Sequence, residues 1–237
     1  MRRFILVTLM LPLLMSACRF LGRRVHGNGN IRTEEHSISG FKDLEVSSNV
    51  NVYVSQGDFK PVRIEGDENL LPYLEVIQSG DRLIIRTRND FNLDGTIRVY
   101  VTAPVFRSIG LSGAGDIIAE NKITSSESLG ISLSGAGDIK MDIDAPSLTA
   151  NISGVGSLYL KGQTKDVDMD ISGAGSAHCY DLLTENTKIG ISGVGSAEVY
   201  ASVKLEAHVS GAGSVDYKGN ATDVTQDVSG VGSINKK

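Results

Sequence analysis

A pentapeptide of the form Ser-Gly-Ala/Val-Gly-Ser/Asp recurs through the second half of this 237-residue chain. Its seven copies start 18 to 22 residues apart, at Ser112, Ser134, Ser153, Ser172, Ser192, Ser210 and Ser229. A period this regular is the signature of a repeat architecture, in which each copy is one structural unit that packs on the next. Units this short are unsuited to a helical crossover between parallel strands, and no helical periodicity separates the copies.

Apolar and polar residues alternate with a period of two within each repeat. In the fourth copy, Val167, Met169 and Ile171 share a frame with the two motif glycines, and the intervening positions are mostly polar. Such alternation indicates strands with one buried face. We therefore predict an all-β fold in which residues 105–237 stack as the coils of a β-solenoid. The inward glycines would allow a tight corner or a close approach of one backbone to another.

Two binding motifs that contain glycine do not fit the repeat. A dinucleotide fingerprint needs a third glycine and a following helix, and no copy has them. The calcium-binding nonapeptide is also absent, since only Asp116 and Asp138 occupy the last motif position. Those two stacked carboxylates could hold a cation adventitiously, although a polar outer face explains them more simply. We expect no cofactor and no dedicated metal site.

The first residues indicate export and lipid anchoring. Residues 1–17 have the form of a signal peptide, because two arginines precede about a dozen mostly apolar residues. The segment ends in Leu14-Met15-Ser16-Ala17-Cys18, which resembles a bacterial lipobox with Cys18 as the lipidated residue. Ordinary secretion is the alternative. We expect residues 18–30 to form a tether and the protein to lie in the cell envelope, at the outer membrane, facing the periplasm or the surface.

The charge of the chain argues against nucleic acid as a partner. The formal charge is −5, and it becomes −7 once Arg2 and Arg3 leave with the signal peptide. An acidic domain is poorly suited to the phosphate backbone. The expected partners are the membrane, through the lipid anchor, and a glycan or protein ligand.

Residues 31–104 form a less regular section without the glycine motif. Alternating runs such as 44–54 and 82–86 are separated by turn sequences about every ten residues, which predicts short strands throughout. Ser47-Ser48 stands where a Ser-Gly like that of the later motif would be expected. We therefore expect an irregular β-helical section, with an uncertain number of coils, before the regular repeats.

Several motifs in this section, taken in order, resemble the head GIN domain family of putative auto-transporter adhesins. The resemblance covers residues 27–237, including the later Ser-Gly-Ala/Val-Gly repeats. The motifs that carry it are Gly27-Asn28-Gly29-Asn30, Ile38-Ser39-Gly40-Phe41, Leu44-Glu45-Val46-Ser47, Gln56-Gly57-Asp58, Ile64-Glu65-Gly66-Asp67-Glu68-Asn69-Leu70-Leu71-Pro72 and Gly80-Asp81-Arg82-Leu83-Ile84-Ile85. It implies right-handed parallel β-helical coils on a lipoprotein or secreted protein of Bacteroidetes-type bacteria. It implies adhesion only loosely, and it brings no established catalytic residues.

The residues offer little support for an enzyme. Cys179 falls in the inward frame and His178 in the outward frame, so the two cannot act as a dyad without a bulge. Acidic residues gather at 142–144 and 166–170, but Asp168 and Asp170 fall in the outward frame, as solubilising charges would. Because β-helices also host polysaccharide-processing enzymes, that activity remains an alternative; such an enzyme would need paired acids at a defined separation.

The favoured function is non-enzymatic, adhesin-like binding through a face of the β-helix. Tyr159, Tyr180 and Tyr200 follow successive glycine motifs in the outward frame, and stacked coils could align them into one row able to stack on sugar rings. Exposed sheet also favours tyrosine without any ligand. A structural role in envelope assembly is a further alternative. We expect a monomer, because Lys236 and Lys237 would discourage another chain from pairing with the last coil.

Overall fold

The computed structural model describes residues 23–88 and 91–237 of the chain. These residues form a parallel β-solenoid, which confirms the all-β fold class predicted from the glycine motif. In chain order the strands are β1 (Arg23–His26), β2 (Ile31–His36), β3 (Asp43–Ser47), β4 (Asn51–Gln56), β5 (Val62–Asp67), β6 (Leu74–Ser79), β7 (Arg82–Thr87), β8 (Phe91–Asp94), β9 (Ile97–Ala103), β10 (Ser108–Leu111), β11 (Ile117–Ala119), β12 (Ile123–Thr124), β13 (Leu129–Leu133), β14 (Ile139–Ile152), β15 (Ser157–Ile171), β16 (Ser176–His178), β17 (Leu182–Ile191), β18 (Ser196–Tyr200), β19 (Lys204–Val209), β20 (Ser214–Lys218), β21 (Asp223–Val228) and β22 (Ser233–Lys236). A short 3-10 helix, Leu71–Tyr73, lies between β5 and β6.

The seven glycine-motif copies form seven consecutive coils that stack in parallel register. Each strand of one coil pairs with the equivalent strand of the next, so equivalent residues form rows along the stack. One inward row is fully buried and contains Leu133, Ile152, Ile171, Ile191 and Val209. The inward frame predicted from the alternation is therefore the core, and its burial supplies the main stabilising free energy.

The motif glycines allow close approach of successive backbones. A Cβ atom at Gly135 would lie 1.7 Å from the carbonyl oxygen of Gly113, and one at Gly154 would lie 1.9 Å from that of Gly135. The second glycine behaves in the same way, since a Cβ at Gly137 would lie 1.7 Å from the Gly115 carbonyl. None of these glycines has a positive φ. Any side chain would collide with the preceding coil, so close approach explains their recurrence better than a left-handed turn does.

One further coil of this type lies within the first section. Strands β3 and β4 align with β10 and β11, which places Ser48 and Val50 at the positions of the two motif glycines. Side chains are tolerated there because the neighbouring layer toward the chain's first section is built from β7 and β9 and is not a glycine-motif coil. Ser48 Oγ lies 2.7 Å from Thr87 Oγ1 of that layer. The irregularity expected at Ser47-Ser48 is thus a variant copy of the motif.

The order of layers in space differs from the order of the chain. Strand β3 lies between β7 and β10, and β4 lies between β9 and β11. The chain therefore builds the second layer first, passes outward to build the end layer from β7 and β9, and then returns to begin the regular coils. Counting from the end layer, the stack contains nine layers, the last seven of which carry the glycine motif.

Antiparallel strands close this end of the stack, which we call the capped end. Strand β5 pairs with β9, β2 pairs with β5, and β6 pairs with β7, all antiparallel. Beneath them Leu70, Leu71 and Leu74 are buried. The cap supplies backbone partners and apolar cover that the parallel end layer would otherwise lack.

A buried carboxylate holds the first described residues onto the cap. Asp67 accepts hydrogen bonds from the backbone N–H groups of Gly29 (2.6 Å) and Thr96 (2.8 Å). A Cβ at Gly27 would lie 2.3 Å from the Asp67 carboxylate, so only glycine fits there. Strand β1 also pairs with β8. Residues 23–30, the second part of the predicted tether, therefore pack onto the folded body.

The other end of the stack, the open end, is formed by β21 and β22. Val224 and Val228 are 37% and 42% exposed there, because none of the described residues forms a layer over them. The same frame also contains polar residues, since Gln226 is in register with the buried Ala207 and Lys236 with the buried Tyr217. The terminal coil thus has polar side chains at two positions that are apolar in the coil before it.

Candidate functional site: a groove beside Tyr159

One face of the solenoid presents a row of polar and aromatic side chains. In-register pairing of β14, β15, β16 and β18 places Lys140, Tyr159, His178 and Glu198 next to one another on successive coils. Side chains in such a row are about 4.8 Å apart, which is close enough for direct contact. The row is therefore a continuous surface assembled from residues 19 to 20 positions apart in sequence.

The aromatic ring of Tyr159 is held between its two neighbours. It stacks on the His178 ring with centroids 4.8 Å apart and an interplanar angle of 15°. On the opposite neighbouring coil, Lys140 Nζ lies 5.3 Å from the ring centroid, within the range of a cation–π contact. Since both ring faces are covered, the exposed part of Tyr159 is its edge and hydroxyl.

Polar contacts fix the side chains around this ring. His178 Nδ1 lies 2.7 Å from Glu198 Oε2. Lys140 Nζ lies 3.2 Å from Asp138 Oδ2, and this carboxylate raises the pKa of Lys140 above its ordinary value. The row is thus ordered before any ligand arrives, which lowers the entropy that binding would lose.

A second row runs beside the first and contains Asp142 and Lys161. Asp142 lies between two lysines, with Lys122 Nζ 3.5 Å from its Oδ1 atom and Lys161 Nζ 3.9 Å from its Oδ2 atom. Tyr180 follows on the next coil, where Lys218 Nζ lies 4.1 Å from its ring centroid. Partial burial raises the pKa of the Tyr180 phenol, so this group is a neutral hydrogen-bond donor at physiological pH.

These rows line a groove of about 570 Å³, which we call the Tyr159 groove. Its walls combine the two tyrosines with carboxylates, lysines, an imidazole and the Asn121 amide. It extends over five coils, from Glu120 to Glu198, or about 19 Å along the stack. A groove of this length, with donors and acceptors along both sides, suits a long polar ligand better than a compact apolar one.

The three tyrosines proposed as one row do not form one. Tyr159 is in register with His178, whereas Tyr180 lies two residues further along the same coil. Tyr159 and Tyr180 both line the Tyr159 groove, but Tyr200 lines a different groove with Ser125 and Gln163. In place of three aligned tyrosines, the groove therefore contains two. The Tyr159 ring contacts Lys140 and His178, and the Tyr180 ring contacts Lys218.

The carboxylates of Asp116 and Asp138 have structural partners. Asp116 Oδ1 accepts a hydrogen bond from the Asp138 N–H (3.0 Å), and Asp138 Oδ1 accepts one from the Ser157 N–H (3.1 Å). Each carboxylate thereby links its coil to the next one. Across the described residues, 23–88 and 91–237, no group of three or more His, Cys, Asp or Glu side chains is arranged to hold a metal ion.

Of the remaining sequence candidates, His178 lines the groove, and the others lie apart from it or serve the core. Cys179 is buried, and burial raises the pKa of its thiol to about 12, as expected for an inert core residue. His178 faces outward to Glu198, which agrees with the predicted opposite orientation of the pair. Asp168 and Asp170 are exposed on another face, while Asp166 accepts a hydrogen bond from Asn186. Cys18 lies outside the described residues.

Sequence reasoning missed the charged members of the groove. Lys122, Lys140 and Lys161 come from three different coils and carry no local motif. A usable signal was the offset from the motif serine, because Tyr159 and His178 each lie six residues after it, whereas Tyr180 and Tyr200 lie eight residues after it. This difference in offset separates Tyr159, which is in register with His178, from Tyr180.

The fold defines the class of protein: a parallel β-solenoid, closed at one end, with a polar groove along one face. Residues 40–221 match the family described as “Putative auto-transporter adhesin, head GIN domain”. The chain belongs to this family, and the resemblance noted in the sequence is confirmed.

Solved structures of similar fold come from Bacteroides and Parabacteroides species. A “putative adhesin” from Bacteroides fragilis is 23% identical to this chain, with a TM-score of 0.85 over 90% of this chain and 100% of that one. A “putative adhesin” from Parabacteroides distasonis is 24% identical, with a TM-score of 0.70 over 90% and 100% of the two chains. A “putative lipid binding protein” from the same species is 22% identical, with a TM-score of 0.68 over 91% and 100%. At these identities the similarity shows the fold alone. No curated protein matches the sequence.

Proposed function

We propose that this protein is a non-enzymatic, lipid-anchored component of the cell envelope that binds a glycan through the Tyr159 groove, in an adhesin-like role. The family description and the names of two neighbours support the adhesin-like part of this proposal. The observation that carries the assignment to a glycan is the groove itself, with hydrogen-bonding side chains along about 19 Å of a rigid sheet.

The chemistry of the groove suits a polyhydroxylated ligand. Asp142 and Glu198 supply acceptors, and Lys161 supplies a donor on the same surface. Hydroxyl groups of a sugar both donate and accept hydrogen bonds, so they can be recognised by a mixed set of this kind. The exposed edges of Tyr159 and Tyr180 add apolar contact without requiring their covered faces.

The contacts of the groove carboxylates support binding rather than catalysis. Asp142 is flanked by Lys122 and Lys161, and Glu198 pairs with His178. A glycosidase needs one carboxyl group that stays protonated and a second one at a fixed distance across the scissile bond. Both groove carboxylates are instead engaged by neighbouring basic side chains, as suits a binding surface.

Anchoring rests on the sequence around Cys18. Leu14-Met15-Ser16-Ala17 precedes this cysteine in the pattern of a lipobox, and acyl chains on Cys18 would hold the acidic body at the outer membrane. In the part of the chain that the structure describes, no helix has the length and apolar character needed to span a membrane. The predicted monomeric state belongs to the same proposal.

The test is binding of the purified full chain to a panel of bacterial and host glycans, with matrix proteins included. Each hit is repeated with Tyr159→Phe, Lys161→Ala and Tyr180→Ala, and with Tyr200→Ala as the matched control. We expect Lys161→Ala and Tyr180→Ala each to weaken a glycan hit about tenfold, or about 1.4 kcal/mol, and Tyr159→Phe to weaken it less.

Two outcomes would contradict the proposal. Glycan binding that is lost equally in Tyr200→Ala would place the site elsewhere, and hits confined to proteins would remove the glycan assignment. Cleavage of a bound glycan, detected by a change in its mass, would favour the polysaccharide-processing alternative. Cys18→Ala tests the anchor separately, because it should move the protein from the membrane fraction to the soluble fraction.

A further inference from the structure

Positive charge is distributed unevenly along the folded chain. Residues 23–107 contain 11 Lys and Arg against 12 Asp and Glu, whereas residues 108–237 contain 9 against 16. The formal charge is therefore −1 for the first part and −7 for the second. Every arginine of the chain precedes residue 108. Since the first part builds the capped end, the stack is nearly neutral and arginine-rich at one end and strongly acidic along the rest.

The outermost layer of the capped end presents three arginines and an apolar side chain, beside Glu34 and Glu35 of β2. Among the described strands, β1 pairs only with β8 and β2 only with β5, so both strands lie outside the parallel layers. Arg23, Arg24 and Arg32 are exposed on them, with Arg24 Nε 4.0 Å from Asp94 Oδ2, and Ile31 is 54% exposed. Several carboxylates at this end are paired with arginines, including Glu75 with Arg86 and Arg88, and Glu65 with Arg63 and Arg98. Arginine and exposed isoleucine together suit the headgroup region of an anionic membrane.

The length of chain between the expected anchor and the fold limits the orientation. Arg23 follows Cys18 by five residues, which span at most about 17 Å when fully extended. The open end is eight layers from the end layer, or about 38 Å along the stack. An acylated Cys18 can therefore keep the capped end at the lipid surface, while it leaves the open end remote from it.

We infer that the capped end is a membrane-contact surface that rests Arg23, Arg24, Ile31 and Arg32 on anionic phospholipid headgroups. This inference relies on the proposed anchoring at Cys18 and deepens it. The acidic coils then point away from the membrane, which reduces their repulsion from anionic lipid. The Tyr159 groove lies on these coils, so this orientation presents it to the space beyond the membrane.

The test measures the depth of each end in a membrane. The lipidated full chain is inserted into vesicles of phosphatidylethanolamine and phosphatidylglycerol whose acyl chains are brominated, so that they quench a nearby fluorophore. One variant carries a fluorophore at Ile31→Cys and the other at Val231→Cys, which is 87% exposed near the open end. Cys179 does not react with the label because it is buried and its thiol pKa is about 12. We expect quenching to be several-fold stronger at position 31 than at position 231.

Charge reversal separates headgroup contact from simple tethering. The triple variant Arg23→Glu, Arg24→Glu, Arg32→Glu should lose at least half of the quenching at position 31. The matched reversal Lys236→Glu, Lys237→Glu at the open end should leave it unchanged. Circular dichroism checks that each variant keeps its β structure.

The outcomes distinguish the two proposals. Equal quenching at both positions, stronger quenching at position 231, or an unchanged signal in the triple variant would overturn the membrane-contact surface, even if mass spectrometry shows acyl chains on Cys18. Absence of acyl chains from the protein recovered from cells would overturn the anchoring and this inference together.

Discussion

The two ends of the solenoid solve the same problem in different ways. At the capped end, antiparallel strands pair with the end layer formed by β7 and β9, and Leu70, Leu71 and Leu74 are buried beneath them. At the open end, β21 and β22 remain uncovered, and Gln226 and Lys236 replace apolar residues of the preceding coil. An exposed strand edge invites pairing, and both a cover and inward-facing polar groups reduce that risk. The cover adds stability, whereas the polar residues mainly provide solubility.

The difference also affects how tightly a coil is held. Gly113 lies between the β3–β4 coil and the next motif coil, so its backbone has neighbours on both sides. Gly230 belongs to the last coil and has a neighbour on one side only. Equivalent changes at the two ends should therefore have unequal effects.

The largest expected effect is a steric clash near the capped end. A Cβ at Gly113 would lie 1.7 Å from the Ser48 carbonyl oxygen, so Gly113→Ala should lower the free energy of unfolding by about 3 kcal/mol or more. Gly230→Ala also places a Cβ close to a carbonyl, 2.0 Å from that of Gly211, but the last coil can shift outward. We expect about 1 kcal/mol there, measured by urea unfolding. Gly130→Ala, whose Cβ would have no neighbour closer than 3.5 Å, is the control.

Removal of the buried clamp should have the next largest effect. Asp67→Ala leaves the N–H groups of Gly29 and Thr96 without their acceptor, which should lower the free energy of unfolding by about 2 to 4 kcal/mol. Asp223→Ala at the open end changes an exposed carboxylate and should stay within about 0.5 kcal/mol. Similar losses in both variants would show that the two ends are equally stabilised.

Apolar residues at the two polar inward positions of the last coil should promote self-association. The double variant Gln226→Leu, Lys236→Leu makes the open end resemble the buried frame of the preceding coil, so sedimentation velocity should show dimers that increase with protein concentration. Thr225→Leu with Lys237→Leu adds the same number of apolar residues in the outward frame and should remain monomeric. A monomeric inward variant would mean that Gln226 and Lys236 do not protect this end.

The smallest effect concerns acid stability near the capped end. A hydrogen bond from Arg107, with a further one from Ser108, lowers the pKa of Asp43 below its ordinary value of 3.8. A lowered pKa in the folded state stabilises the fold above the unfolded value, and this contribution is lost as the pH falls through the folded value. Asp43→Asn should therefore lower the melting temperature at neutral pH and lose less stability than the wild type below pH 4. Asp227→Asn, at the exposed open end, should follow the wild-type profile.

Much of the regular stack could be predicted from sequence because its determinants are local and repeated. Alternation around Val167, Met169 and Ile171 identified the buried frame, and the recurrence of glycine indicated close backbone approach. The identification of Ser47-Ser48 as an irregular copy was also sound, since Ser48 occupies a glycine position.

The first section resisted prediction because alternation does not reveal pairing partners. Strands β4 and β5 have similar patterns, yet β4 pairs in parallel and β5 antiparallel with the same strand, β9. The order of layers depends on these long-range pairings. The role of Gly27 was missed for the same reason, because it depends on Asp67, which is 40 residues away.

The groove was predicted only in part. Tyr159 and Tyr180 do line it, but Tyr200 lines a separate groove. The ion pairs around Asp142 join residues of three coils, and single-strand patterns contain no trace of them.

Residue-resolved amide hydrogen exchange tests the difference between the ends most directly. Amides in β5 and β9 are buried beneath or within the cap, so we expect them to exchange only through global unfolding. Amides in β21 and β22 should exchange far faster, through fraying of the last coil. Uniform protection along the stack, or slower exchange in β22 than in β9, would contradict the account of a closed end and an open one.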